Sequence, residues 1–147
     1  MFTAPLKSFI LVTLQFTLIG VLLFTTAPFA VSVASTVLIA ASVLLVIWAI
    51  AVMQQSKFRI SPVPAAAAVL VTSGPYRFIR HPMYTAILLG AAGLLTGYFS
   101  WIRLSMAVLL AIVLIIKLFW EEKMLTEKFS TYGAYKKNSR RLFPYIF

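Results

Sequence analysis

Residues 83–120 read MYTAILLGAAGLLTGYFSWIRLSMAVLLAIVLIIKLFW, and whether this stretch is one element or two decides the fold. A bilayer core about 30 Å thick takes roughly 20 helical residues, with about 17 as the lower bound. The stretch is too long for one span and suits two. Gly97 to Ser100 supplies a tight turn near its middle. It therefore reads as a helical hairpin, with a short third apolar run from about Met83 to Phe99 and a fourth from about Trp101 to Trp120. Tryptophan stands at both mouths of the fourth run, where membrane interfaces favour it. Two more runs lie upstream, from about Ser8 to Phe29 and from about Val31 to Met53, with Pro28 suited to the turn between them. The expectation is an all-α, polytopic membrane protein with about four transmembrane helices and a cytoplasmic helical tail at its C-terminus.

Composition points the same way. Hydrophobic residues make up 62% of the 147-residue chain and charged residues 11%, where a soluble domain carries about a quarter charged. The absence of cysteine excludes disulfides, thiolate zinc sites and cysteine nucleophiles. One histidine and three acids supply an all-protein metal site poorly, so no metal is expected. A formal charge of +10 invites a nucleic-acid reading. The cations flank apolar segments rather than forming a soluble basic face, so the expected contacts are the membrane and its anionic lipids, not nucleic acid.

The placement of those cations sets an orientation. Lys7 precedes the first run, and Lys57, Arg59, Arg77 and Arg80 lie between the second and third. Lys117, Lys123, Lys128, Lys136, Lys137, Arg140 and Arg141 lie at or after the end of the fourth. Only Arg103 falls on the other side. By the positive-inside rule both termini and the middle loop are cytoplasmic. Pro62 and Pro64 argue against a continuous helix through that loop.

Polar chemistry gathers in two places on this expected cytoplasmic side. Residues 74–84, GPYRFIRHPMY, hold two arginines and the only histidine. Pro82 suits the first turn of a helix, and the charge of Arg80 beside His81 favours a neutral imidazole. The second cluster is Lys117, Glu121 and Glu122. Acids at a helix C-terminus oppose the helix dipole; either the helix continues to about Phe129, or a carboxylate is held there to meet a cation. Gly90, Gly93 and Gly97 form a small face on the third run, suited to close helix packing or to admitting a ligand. Apart from serines and threonines, the first two runs carry almost no polar chemistry beyond Gln15, and they read as scaffold.

Three elements together carry a resemblance. LVTSGPYRFIRHPMY (Leu70–Tyr84), the pair Glu121–Glu122, and FSTYGAYKKNSRRLFP (Phe129–Pro144) resemble the integral-membrane isoprenylcysteine carboxyl methyltransferase family, which extends to phospholipid N-methyltransferases and many bacterial relatives. The likeness covers residues 68–147, in the family's order and spacing. It implies S-adenosyl-L-methionine as methyl donor, in a pocket closed to water and open to the bilayer. It also implies a lipophilic small molecule, lipid or prenylated substrate as acceptor, and a bacterial or archaeal inner membrane as location.

Carried over by position, the donor-binding residues would be Ala68, Val69, Leu70, Val71, Tyr76, Arg80, His81, Pro82, Met83, Tyr84 and Glu121. The catalytic residues would be Lys117, Glu121, Glu122 and Arg141. On this reading residues 1–147 form a single domain, with 1–56 as scaffold helices and 57–147 as the cofactor-binding and catalytic half. The chain departs from the family pattern in several places. Lysine stands at Lys117 where arginine is common, and alanine at Ala68 where the eukaryotic enzymes often have histidine. Ser130 follows Phe129 in place of glycine, and Ser139 replaces valine. Tyr132, Tyr135 and Arg141 match.

Carboxyl O-methylation needs no general base, whereas an amine acceptor does, with Glu122 or a tail tyrosine as candidate. Aromatic faces such as Tyr76 and Tyr84 suit a sulfonium that loses its charge during reaction. Competing readings are a phospholipid amine N-methyltransferase, an NADPH-dependent reductase resembling sterol reductases, and a small membrane transporter.

Overall fold

The computed structural model describes residues 4–25, 32–54 and 69–144. Four long helices account for most of them: α1 (Ala4–Phe24), α2 (Val33–Met53), α3 (Pro82–Gly97) and α4 (Trp101–Lys128). A fifth, short helix, α5 (Tyr132–Asn138), forms the tail. The turn at Pro28 and the middle loop with Lys57, Arg59 and Ala68 lie outside the described residues. Three of the helices are long and apolar enough to cross a membrane, and α3 is a shorter apolar helix. At about 1.5 Å per residue, α3 rises roughly 24 Å, short of a full bilayer core.

Each boundary has a local cause. The Ser32 hydroxyl accepts the Ser35 amide at 3.1 Å and starts α2. Ser100 accepts the Arg103 amide at 3.2 Å and starts α4 immediately after the Gly97–Ser100 turn. Such caps satisfy amides that the first helical turn leaves unpaired. Pro82 opens α3 where its missing N–H costs nothing. At the other end, α4 does not stop at Trp120. It runs to Lys128, which moves Glu121 and Glu122 into its interior and removes their conflict with the dipole.

The helices alternate in direction and pair unequally. α2 packs most extensively on α3, and α1 on α4. The glycine face of α3 explains the first pairing. A Cβ on Gly93 would stand 2.8 Å from Ile39 Cγ1 and 3.2 Å from the Ile39 amide nitrogen, so only glycine permits this approach. Ser42 Oγ donates to the Ala86 carbonyl at 2.7 Å across the same seam. Of the two uses open to these small residues, helix packing is the one realised at Gly93. The buried apolar core runs through Leu11, Leu18, Leu22, Leu110, Val113 and Leu114, between α1 and α4. This alternation brings the start of α1, the ends of α2 and α4, the start of α3 and all of α5 to one end of the bundle. Arg103 stands at the other.

Candidate functional site

The tail reaches the histidine stretch through main-chain hydrogen bonds. A short turn, Gly74–Arg77, precedes α3 and rests against α2. Gly74 has φ +58°, and a Cβ there would meet Val52 at 2.7 Å. Beyond this turn, Ile79 and Arg140 form an isolated parallel bridge. The Arg80 amide donates to the Arg140 carbonyl at 2.6 Å, the His81 amide to Arg141 at 3.0 Å, and the Arg140 amide to Phe78 at 3.0 Å. Thr85 Oγ1 donates to the Leu142 carbonyl at 2.6 Å, and the Tyr135 hydroxyl to the Tyr76 carbonyl at 2.6 Å. Two segments about sixty residues apart in the chain thus form one surface.

Glu122 is the hub beneath that surface. Arg80 Nε donates to Glu122 Oε1 at 2.7 Å and Arg141 Nε to Oε2 at 3.2 Å. Lys136 Nζ stands 3.9 Å from Oε2. The second arm of the Arg80 guanidinium donates to the carbonyls of Lys136 (3.2 Å) and Ser139. Glu121 is the more accessible acid, with 25% of its side chain exposed against 5% for Glu122. It accepts the Tyr84 hydroxyl at 2.9 Å.

His81 lies between the two carboxylates. Its Nδ1 is 3.5 Å from Glu121 Oε2 and its Nε2 3.7 Å from Glu122 Oε1. The ring stacks on Tyr84 with centroids 5.3 Å apart and planes 7° from parallel. Arg80 was expected to keep this imidazole neutral, and the geometry reverses that expectation. The Arg80 charge is turned to Glu122, and the ring faces two acids. Burial alone would lower the His81 pKa, but Glu121 and Glu122 outweigh it and hold the pKa above the ordinary value. Burial raises the Tyr76 and Tyr132 hydroxyls above their ordinary range and pushes Tyr135 up to about 12, so all three stay neutral.

Lys117 does not take Glu121, one turn on, as its partner. Its ammonium is buried, donates to Gln15 Oε1 on α1 at 2.5 Å, and lies 5.4 Å from the Tyr84 ring centroid. The structure therefore brings Arg80, His81, Tyr84, Lys117, Glu121, Glu122 and Arg141 into one connected cluster, with Tyr76 joined through Tyr135. Pro82 and Met83 form the first turn of α3 behind it. Val69, Leu70 and Val71 lead toward the Gly74 turn outside helix or strand.

Four participants had no role assigned to them from sequence: Gln15, Thr85, Lys136 and Ser139. Gln15 carried a signal, as a lone amide in an apolar run. The other three carried none. Deeper among the helices lies an apolar cavity of about 180 Å³, whose lining includes Ile19, Leu22, Ser42, Ile87, Gly90 and Leu110.

Among known protein families, the model described as phospholipid methyltransferase matches residues 30–132. That range spans α2, α3, α4 and both carboxylates, and it leaves out α1. No curated protein and no solved structure matches the chain significantly.

Proposed function

The chain belongs to the phospholipid methyltransferase family, and from that premise we propose that this membrane methyltransferase transfers the methyl group of S-adenosylmethionine to a carboxylate on a lipophilic acceptor. Isoprenylcysteine carboxyl methylation is the type of reaction meant. The observation that carries the reading is the pair of tyrosine hydroxyls, Tyr76 and Tyr132, each buried without a hydrogen-bond partner among the described residues. They flank a cluster in which Glu121 alone keeps an accessible carboxylate. A hydroxyl buried unpaired costs about 1–3 kcal/mol, so a polar molecule bound beside these two relieves a penalty that the chain otherwise carries. A sulfonium nucleoside with hydroxyl, amino and carboxylate groups fits this donor set. Glu121 would bind its hydroxyls or amino group, Tyr76 would offer a ring face and a hydroxyl, and Tyr132 a second hydroxyl.

When bound, S-adenosylmethionine supplies a methyl carbon to the acceptor oxygen as the carbon–sulfur bond breaks and its electron pair stays on sulfur. The residues of this chain align the two partners and exclude water, which suffices for in-line displacement. Glu122 holds Arg80 and Arg141 in place and keeps the tail docked over the cluster. His81 faces Glu121 from one side, and Tyr84 donates to it from the other. Both carboxylates are engaged by donors, Glu121 by Tyr84 and Glu122 by Arg80 and Arg141. This favours an acceptor that has no proton to lose, and a carboxylate is such an acceptor. The apolar cavity toward the bilayer centre suits a hydrocarbon tail, and the charge asymmetry of the chain supports a site on the cytoplasmic face.

The family's description favours a second reading, methylation of a phospholipid amine. Radiolabelled methyl transfer into host membrane extract separates the two. Label released by mild base identifies an ester and supports the first reading. Base-stable label in lipid headgroups supports the second. No transfer with either extract or purified lipids would overturn both.

A further inference from the structure

We propose that Gln15 of α1 is a positioning residue that holds the Lys117 ammonium, un-neutralised, toward the acceptor's negative group. The inference rests on the carboxylate-acceptor reading above and extends it to a helix outside the matched family region. Gln15 and Lys117 are 4% and 1% exposed, and their 2.5 Å contact joins residues 102 apart in the chain.

The chemistry of the pair is informative. A lysine buried among apolar helices is costly unless it is paired, and a carboxylate is the partner that offsets the cost best. This chain instead offers a neutral amide, whose oxygen accepts a hydrogen bond and cancels no charge. The amide thereby fixes the direction of the ammonium and supplies no countercharge. A pairing that served packing alone would be met as well by a carboxylate or by two apolar side chains.

The direction matters because of what lies beside it. Lys117 Nζ is 5.4 Å from the Tyr84 ring, and the Tyr84 hydroxyl bonds Glu121 at 2.9 Å. Gln15, Lys117, Tyr84, Glu121 and His81 thus form one continuous line across three helices. The apolar cavity begins one helical turn deeper, at Ile19 on α1 and Ile87 on α3. An acceptor with its hydrocarbon in that cavity would present its charged end at Lys117. A lysine supplies a point charge there rather than a bidentate fork, and a point charge needs a second group to aim it.

The decisive variant is Gln15→Glu, which keeps the hydrogen bond and the volume and neutralises the ammonium. Purified protein in detergent is assayed with S-adenosylmethionine and two acceptors, N-acetyl-S-farnesylcysteine and phosphatidylethanolamine, and its thermal unfolding is followed in parallel. The expected result is an acceptor KM for the farnesylcysteine at least tenfold higher, an unchanged donor KM and an undiminished unfolding midpoint. Gln15→Met, which removes the acceptor atom without adding charge, should raise the same KM several-fold. An unchanged farnesylcysteine KM in either folded variant overturns the inference. So does wild-type protein that methylates phosphatidylethanolamine alone. Wild-type protein that methylates neither compound overturns the functional reading itself.

Discussion

The bundle buries an arginine at each end, and the two are satisfied by different kinds of partner. Arg103, 3% exposed, donates to the carbonyls of Tyr98 and Leu22 and lies 5.5 Å from the Tyr98 ring centroid. Those carbonyls belong to the ends of α3 and α1, where a helix leaves its last acceptors unpaired and partly negative. Arg80 does the same for α5 through the carbonyls of Lys136 and Ser139, but it adds a carboxylate, Glu122. Among the described residues, Arg103 at the far end meets main-chain carbonyls and an aromatic ring and no carboxylate. The other end holds all three acids of the chain, at Glu121, Glu122 and Glu127. A cap needs only carbonyls. An acid that also draws in Arg141, Lys136 and His81 does more than cap, because it locks the tail and the start of α3 into one surface.

The largest effect should come from removing that difference. Glu122→Gln leaves Arg80, Arg141, Lys136 and His81 around a neutral amide. Breaking a buried ion pair from one side costs about 3–5 kcal/mol. Thermal unfolding in detergent should show a loss of that size, with methyl transfer abolished and the tail cut more readily by protease. A variant within about 1 kcal/mol of wild type would mean that Arg80 manages on carbonyls, as Arg103 does.

The complementary change is Arg103→Met. Hydrogen bonds to a charged group are worth about 1.5–3 kcal/mol, and stability should fall within that range. Calorimetric donor affinity should stay at the wild-type value, since the far end takes no part in the site. A weakened affinity would show that the two ends are coupled through α4.

Glu121→Gln should have a smaller and more selective effect. The protein should extract folded, because among the described residues Glu121 holds Tyr84 and His81 alone by hydrogen bond or ion pair. Donor affinity should drop about tenfold, near 1.4 kcal/mol. Unchanged affinity would remove Glu121 from the donor site.

The comparison also shows which parts of the structure were legible from residue order. The four apolar runs marked the helices to within a few residues except at the end of α4, since crossing a membrane constrains length and polarity together. The electrostatic conflict at Glu121 and Glu122 left two resolutions open, a longer α4 or a cation held against a carboxylate, and the structure contains both. The order of the histidine stretch, the acid pair and the tail placed most of the cluster in advance. What stayed hidden depended on packing between distant segments. The partner of Lys117 was not the acid one turn away but an amide on α1, a choice made by helix rotation and not by spacing. Lys136 and Ser139 meet Arg80 only because α5 folds back along residues 78–81. His81 was read from its chain neighbour Arg80, whereas the groups facing it come from α4. Neighbours in sequence were a poor guide to the field at that ring.

That field makes the last and smallest prediction, which concerns pH. Glu121 and Glu122 from α4 both face the His81 ring, and the guanidinium of Arg80 is directed to Glu122. The folded protein therefore binds the imidazole proton more tightly than the unfolded chain does. Below the unfolded value, about 6.5, both states hold the proton and the full contribution to stability is present. As pH rises from there through the higher folded value, the unfolded chain has already released its proton while the folded protein still holds one. Stability then falls, by at most about 1.4 kcal/mol per pH unit. The unfolding midpoint in detergent should decline over this window in wild type and decline less in His81→Asn. An equal slope in the variant would locate the pH response elsewhere.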